Sequence, residues 1–434
     1  MIVPNTSPYP NPSSLELHDM LIANPRATRA PYPDALKRIL SIEKAEQSRA
    51  WLACWDKIAP APTPLRTLPA LAAASGIASL SVKDESARSV LGSFKALGAP
   101  IALVRLILRL WPAHDLDPRA LFDGRYRALL AGFTVVSATD GNHGKGLAAA
   151  AQTLGCRCVI VLHANVSIER EQAIAAYGAQ IVRIAGNYDA SVEEAARLAS
   201  LNGWHVVSDT SYDGYEDIPR DVMQGYGTVA AEIVEQSDAR PARPAYTHMF
   251  LQGGVGGLAA GIVSYLWEFH GAHRPRFVVV EPQQADCLYQ SALAGKPSRA
   301  TGSVDSVMAG LACGETSPLA WRFLQPAVDD FMTIADADAI DAMRVLATGR
   351  DGDVPIVAGE SGAAGLAGLA VLLKDRAQAT RVGLDRDSRV LIVNTEGATA
   401  PDTYRELVGE TADAVLARQA AWAAGAASRA ATHV

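Results

Sequence analysis

The sequence predicts an α/β protein with mostly parallel sheets flanked by helices, and three observations predict it. Short β-branched runs at 133–137, 158–162, 180–184, 246–251, 277–281 and 390–394 alternate with Ala- and Leu-rich stretches of helical length, and strands separated by helix-sized intervals read as βαβ units. Two of these runs, ending at Ser137 and Leu251, lead into glycine-rich turns that open helical segments. The chain has 434 residues, a length that favours two domains over one or three.

Taken in order, the first dozen residues are rich in Pro, Ser and Asn and read as mobile. The longest apolar stretch, 99–111, contains Arg105 and Arg109, is too short to span a bilayer and reads as a core helix. Cys156-Arg157-Cys158 falls on a strand, where neighbouring side chains face opposite ways, so it reads as packing. The polar, Pro-containing stretch 236–244 is the domain boundary. It implies a large domain of residues 1–90 and 236–434 and a small one of 91–235, with a ligand at strand ends or between the domains. The Ala-rich end after Ala420 reads as a frayed helix or a tail.

A net charge of −7 offers nucleic acid and anionic membranes no electrostatic attraction, so a small molecule is the expected partner. Five scattered cysteines are too few for a disulfide-built fold, and none stands at the spacing of a metal site. The N-terminus lacks the charged start and apolar run of a secretory signal, which points to the cytoplasm.

Three segments carry the chemistry. Gly253-Gly254-Val255-Gly256-Gly257 follows a strand and precedes a helix, an arrangement that presents backbone N–H groups and a positive dipole end to a phosphate. The same residues also match a dinucleotide fingerprint, with Glu281 ending the next strand, or they form a plain tight turn. Ser93-Phe94-Lys95-Ala96-Leu97-Gly98 sets one lysine among small and aromatic residues, after the charged segment Lys83-Asp84-Glu85-Ser86. Ala138-Thr139-Asp140-Gly141-Asn142-His143-Gly144 places polar side chains on a bend where a ring can lie close to the backbone.

Together, in this order and spacing, the three segments resemble the fold-type II pyridoxal phosphate enzymes, over roughly residues 62–402. The resemblance implies two domains with the cofactor, pyridoxal 5′-phosphate, in the cleft between them. Lys95 would carry it as a Schiff base beside Phe94, and Asn142 would contact its 3′-oxygen. Gly253, Gly254, Val255, Gly256 and Gly257 would hold its phosphate, and Thr395 would face the pyridine nitrogen. Thr63-Pro64-Leu65 matches an early segment of the family. A neutral hydroxyl at Thr395 makes the ring a weaker electron sink than a carboxylate partner would, which favours β-elimination over transamination.

Within that family, KDES, ATDGNHG, GNYDASVEEA, SDTSYDGYEDIPRDVMQGYGT, MAGLACGE and NTEGATAPDTYR are most similar to the diaminopropionate ammonia-lyase branch. This implies elimination of D- and L-2,3-diaminopropionate to pyruvate and ammonia by a carbon–nitrogen lyase, in a homodimer. Asp140 and Asp209 would remove the Cα proton, Asp140 from the D and Asp209 from the L substrate, with Ser137, Thr139 and Tyr212 touching the substrate. The aspartates, Lys95 and Tyr212 are all candidates for the acid that protonates the leaving amine. Cys287 and Cys313 are either a bridge near the cofactor loop or two buried thiols. A threonine or serine deaminase of the same fold is the runner-up. An NAD-dependent oxidoreductase leaves the SFKALG and TDGNHG segments unexplained, and a non-catalytic relative leaves Lys95, Asn142 and Thr395 unexplained.

Overall fold

A computed structural model describes residues 20–139, 141–164, 166–186 and 188–432. The N-terminal dozen and Asp140 lie outside the described residues. Eleven strands are described: β1 (Leu21–Ala23), β2 (Leu65–Thr67), β3 (Ser79–Asp84), β4 (Thr134–Ala138), β5 (Arg157–Leu162), β6 (Gln180–Arg183), β7 (His205–Val206), β8 (His248–Gln252), β9 (Arg276–Pro282), β10 (Asp330–Ile334) and β11 (Arg389–Asn394). They form a seven-stranded sheet in the order β1-β10-β9-β8-β11-β3-β2 and a four-stranded sheet in the order β6-β5-β4-β7. The smaller sheet is parallel throughout. The larger is parallel except at its edges, where β1 and β2 run antiparallel to their neighbours.

The inner strands are apolar on both faces because helices cover both faces. On β9, Phe277 and Val279 join one buried cluster and Val278 and Val280 the other. Leu391 and Val393 on β11 alternate with Val390 and Ile392 in the same way. The apolar stretch after Lys95 is the helix Gly98–Leu110, with Arg105 over the Trp51 ring and Arg109 paired to Asp221. The helix Asp217–Gln236 packs against Gly98–Leu110, Gly257–His270 and Ile42–Leu52. It ends where the sequence places a boundary. The C-terminal stretch is helical over Ala412–Thr432. Among the described residues no helix is long and apolar enough to cross a membrane, and no group of His, Cys, Asp or Glu could hold a metal ion.

The charged segment at 83–86 is not a surface loop. Lys83 and Asp84 end β3, and both are buried together with Glu85 and Arg88. Lys83 Nζ donates to Glu232 Oε2 at 2.6 Å, Thr63 O at 2.8 Å and Gln236 Oε1 at 2.8 Å. Arg88 bonds both Glu85 and Glu232, at 2.7 Å each. Burial pushes the Glu232 carboxyl up, and the hydrogen bonds and charges of Arg88 and Lys83 more than reverse it. Removing one member of such a network strands the others without compensation in a medium of low dielectric. Glu232→Ala is therefore expected to cost about 3–5 kcal/mol. Denaturant unfolding measures the loss, and a change under about 1 kcal/mol would show the network to be dispensable.

Candidate active site

The site lies at the carboxyl ends of strands from both sheets, where open α/β folds bind ligands. β8 delivers Gln252 and the glycine loop, β11 delivers Thr395 and Glu396, β4 delivers Ala138 and Thr139, and β7 leads to Asp209. One cavity is lined by all of these together with Phe94, Lys95, Gly141, Asn142, His143, Tyr188, Tyr226, residues 309–313 and Ser361.

Lys95 sits in the tight turn Phe94–Leu97, held from two sides. Phe94 N donates to Thr395 O at 3.0 Å, which ties the turn to the end of β11. On the other side Gly225 meets the turn so closely that a Cβ there would fall 2.1 Å from Leu97 O. Only glycine permits that approach. Lys95 Nζ is hydrogen-bonded to Asp209 Oδ2. Burial disfavours charge on Lys95, yet the Asp209 carboxylate overcomes it and holds the ammonium above the ordinary lysine range. Burial likewise pushes Asp209 up, and the charge and hydrogen bond of Lys95 hold it well below the usual carboxylate range instead. Each partner keeps the other ionised.

His143 completes this group. Its Nε2 lies 2.9 Å from Val207 O, which fixes the proton on Nε2 in the neutral ring. Burial and the Lys95 charge lower its pKa against the pull of Asp209. Its Nδ1, buried and without a hydrogen-bond partner, lies 3.8 Å from Asp209 Oδ2.

In the same cavity, Gly253 N donates to Val280 O at 2.9 Å and Gly256 N to Gly253 O at 3.2 Å, which folds the loop over the start of the helix Gly257–His270. Gly254 and Gly256 have φ of +63° and +98°, which L side chains rarely adopt. The N–H groups of Gly254, Val255 and Gly257 donate to no protein acceptor among the described residues. That is an anion cradle. The dinucleotide alternative fails here. Glu281 is fully buried and accepts from the N–H groups of Leu288 at 3.0 Å and Tyr289 at 2.7 Å, so it is spent on the helix Cys287–Ala294 and does not face a ribose. Burial pushes its carboxyl up to about 8.

Among the expected site residues, Phe94, Lys95, Thr139, Asn142, Asp209, Gly253, Gly254, Val255, Gly257 and Thr395 line the cavity, and Gly256 caps the helix behind them. Two do not reach it. Ser137 is buried within β4 with its hydroxyl toward Ala138 O, and Tyr212 is half exposed, stacked on Tyr215 at 4.8 Å. Thr139 Oγ1 accepts from Gly141 N and Gly144 N at 3.3 Å each, so its hydroxyl shapes the turn. No disulfide joins Cys287 and Cys313, and Cys313 lines the cavity. The sequence reading does not single out His143, Gln252, Glu396 or Ser361. Glu396 adjoins Thr395 directly, and that adjacency is the signal for it.

A lysine, a phosphate cradle, a hydroxyl and an amide lining one cavity define the class of protein. Residues 57–396 match the profile of the family described as pyridoxal-phosphate dependent enzyme, and the chain belongs to that family. It is 39% identical over 358 residues to a diaminopropionate ammonia-lyase of Escherichia coli K12, covering 82% of this chain and 89% of the relative. A diaminopropionate ammonia-lyase of Salmonella typhimurium LT2 is 38% identical over 80% of this chain and 87% of its own. The crystal structure of the E. coli enzyme in complex with an aminoacrylate–PLP azomethine reaction intermediate superposes with a TM-score of 0.79. It is 36% identical, and the match covers 89% of this chain and 96% of that one.

Pyridoxal 5′-phosphate is thus the cofactor, and the cavity fits it. The unengaged N–H groups match a phosphate, the amine of Lys95 an aldehyde, the Thr395 hydroxyl a ring nitrogen, and the Asn142 amide a phenolic oxygen. Gly254→Asp is expected to weaken cofactor binding at least about tenfold, because it sets a carboxylate against a phosphate on a backbone that disfavours side chains. Equilibrium dialysis reads the effect, and unchanged affinity would move the phosphate elsewhere.

Proposed function

We propose that this chain eliminates the β-amino group of D- and L-2,3-diaminopropionate, releasing 2-aminoacrylate that hydrolyses to pyruvate and a second ammonia. The observation that carries the reading is the grouping of Lys95, Asp209 and His143 in one cavity with a phosphate cradle. When bound, the cofactor withdraws electrons from Cα and acidifies its proton.

The rest falls to the protein. Gly254, Val255 and Gly257 orient the group through its phosphate. Thr395 meets the ring nitrogen with a neutral hydroxyl, which leaves elimination favoured over transamination. Asp209 takes the Cα proton of the L substrate, and the unsatisfied Nδ1 of His143, 3.8 Å from Asp209 Oδ2, is an acceptor for relaying it. Asp140, between the cavity-lining Thr139 and Gly141, takes the proton of the D substrate. The cleft lies between a domain of residues 91–235 and the remainder, with a homodimer in the cytoplasm as its setting by family analogy.

The test is an absorbance spectrum followed by assay of pyruvate and ammonia with each enantiomer. A protein that is transparent beyond its ultraviolet band after incubation with cofactor would refute the reading.

A further inference from the structure

Glu396 is a buried carboxylate in the cavity, 6% exposed. Its Oε2 accepts from Asn142 Nδ2 at 2.5 Å and Thr399 Oγ1 at 3.5 Å, and its Oε1 accepts from Ser361 N at 3.2 Å. Among the described residues no cation pairs with it. Arg170, which lines a small cavity with Asn142 and Glu396, pairs with a second buried carboxylate, Glu360, at 3.8 Å. Glu360 Oε1 has no hydrogen-bond partner although the residue is 2% exposed. Burial, and then the charge of Glu396, push Glu360 up to about 7. The wall beside Asn142 thus carries more negative charge than the protein neutralises, and buried charge without a partner is costly. A cationic ligand removes that cost.

We propose that Glu396 is a specificity-determining residue whose carboxylate receives the protonated distal amino group of a 2,3-diamino acid and so selects a β-ammonium over a β-hydroxyl. This rests on the elimination reading of the same cavity. An ammonium offers three donors to a carboxylate with lone pairs to spare, whereas a hydroxyl brings one donor and no charge. The contact also supplies what the leaving group needs. A carboxylate at hydrogen-bond distance favours the protonated amine. When the Cβ–N bond breaks, the electron pair stays on nitrogen and neutral ammonia departs with the three protons it already carries, so no separate acid is required.

Glu396→Gln tests this, because glutamine keeps one oxygen to accept from Asn142 and removes the charge, at the cost of the acceptor that serves Ser361 N. The readout is the ratio of kcat/KM on 2,3-diaminopropionate to that on β-chloroalanine, whose β-substituent is uncharged and leaves as chloride without a proton. The ratio is expected to fall on the order of 10²-fold, with the cofactor's visible absorbance retained and partial recovery in Glu396→Asp. An unchanged ratio, whether both substrates suffer equally or neither does, overturns the inference while leaving the functional reading intact. A wild type that turns over β-chloroalanine but neither enantiomer of diaminopropionate sinks both. Should Glu396→Gln fail to hold cofactor, wild-type dissociation constants decide. 2,4-Diaminobutyrate is expected to bind at least about tenfold tighter than neutral 2-aminobutyrate, and equal binding overturns the proposal.

Discussion

Lys95→Ala, incubated with pyridoxal phosphate, is expected to lose the yellow colour of lysine-bound cofactor and to lower turnover on the order of 10³-fold or more, with the fold retained. The truncated side chain lies in a ligand cavity and not in the apolar core, and its charged partner Asp209 is also partly solvated. The two other lysines near these segments are occupied. Lys83 is sealed inside the Glu232 network, and Lys145 donates to Leu91 O at 3.2 Å. Borohydride reduction followed by peptide mapping checks the assignment, and an adduct on Lys83 or Lys145 would refute it. A cooperative thermal transition in the variant separates lost chemistry from lost structure.

The second large effect is stereochemical. A proton leaves Cα perpendicular to a conjugated ring, on whichever face holds a base, so two bases on opposite faces serve opposite enantiomers. Loss of a positioned base costs roughly 10²- to 10⁴-fold. Asp209→Asn is therefore expected to suppress the L substrate by that factor and spare the D substrate, and Asp140→Asn the reverse. Parallel kinetics on resolved enantiomers decide. Equal losses in each variant would leave Lys95 as the proton acceptor and make the aspartates binders of the substrate. The electrostatics favour Asp209 as a base only after Lys95 gives up its charge. While the ammonium stands beside it, Asp209 has little affinity for a proton. Once that charge is spent, burial acts with less opposition and raises its basicity.

The strands with continuous β-branched runs, β4, β5, β6, β8, β9 and β11, are legible in the sequence to within two residues at either end, because strands buried on both faces need apolar residues at every position. β3 is not, since Lys83 and Asp84 at its end carry charges whose partners, Glu232 and Asn394, lie far away in the chain. Nor is β7, whose two residues carry no period. In the cavity, Lys95, Asn142 and the glycine loop stand in local patterns that short-range chemistry demands. Glu396, Gln252 and His143 belong to the site through tertiary placement. Tyr212 shows the converse: its motif is aromatic and polar, yet its ring packs on Tyr215 at the surface.

The helix Asp217–Gln236 carries Glu232 at one end of its buried face and Gly225, pressed on the Lys95 turn, two turns earlier. The reactive lysine is thereby fastened to the same rod that anchors the interior ion network. Its surroundings are expected to belong to the slowest-exchanging cooperative unit of the chain, with amide hydrogens around residues 94–98 opening only on global unfolding in native-state hydrogen exchange.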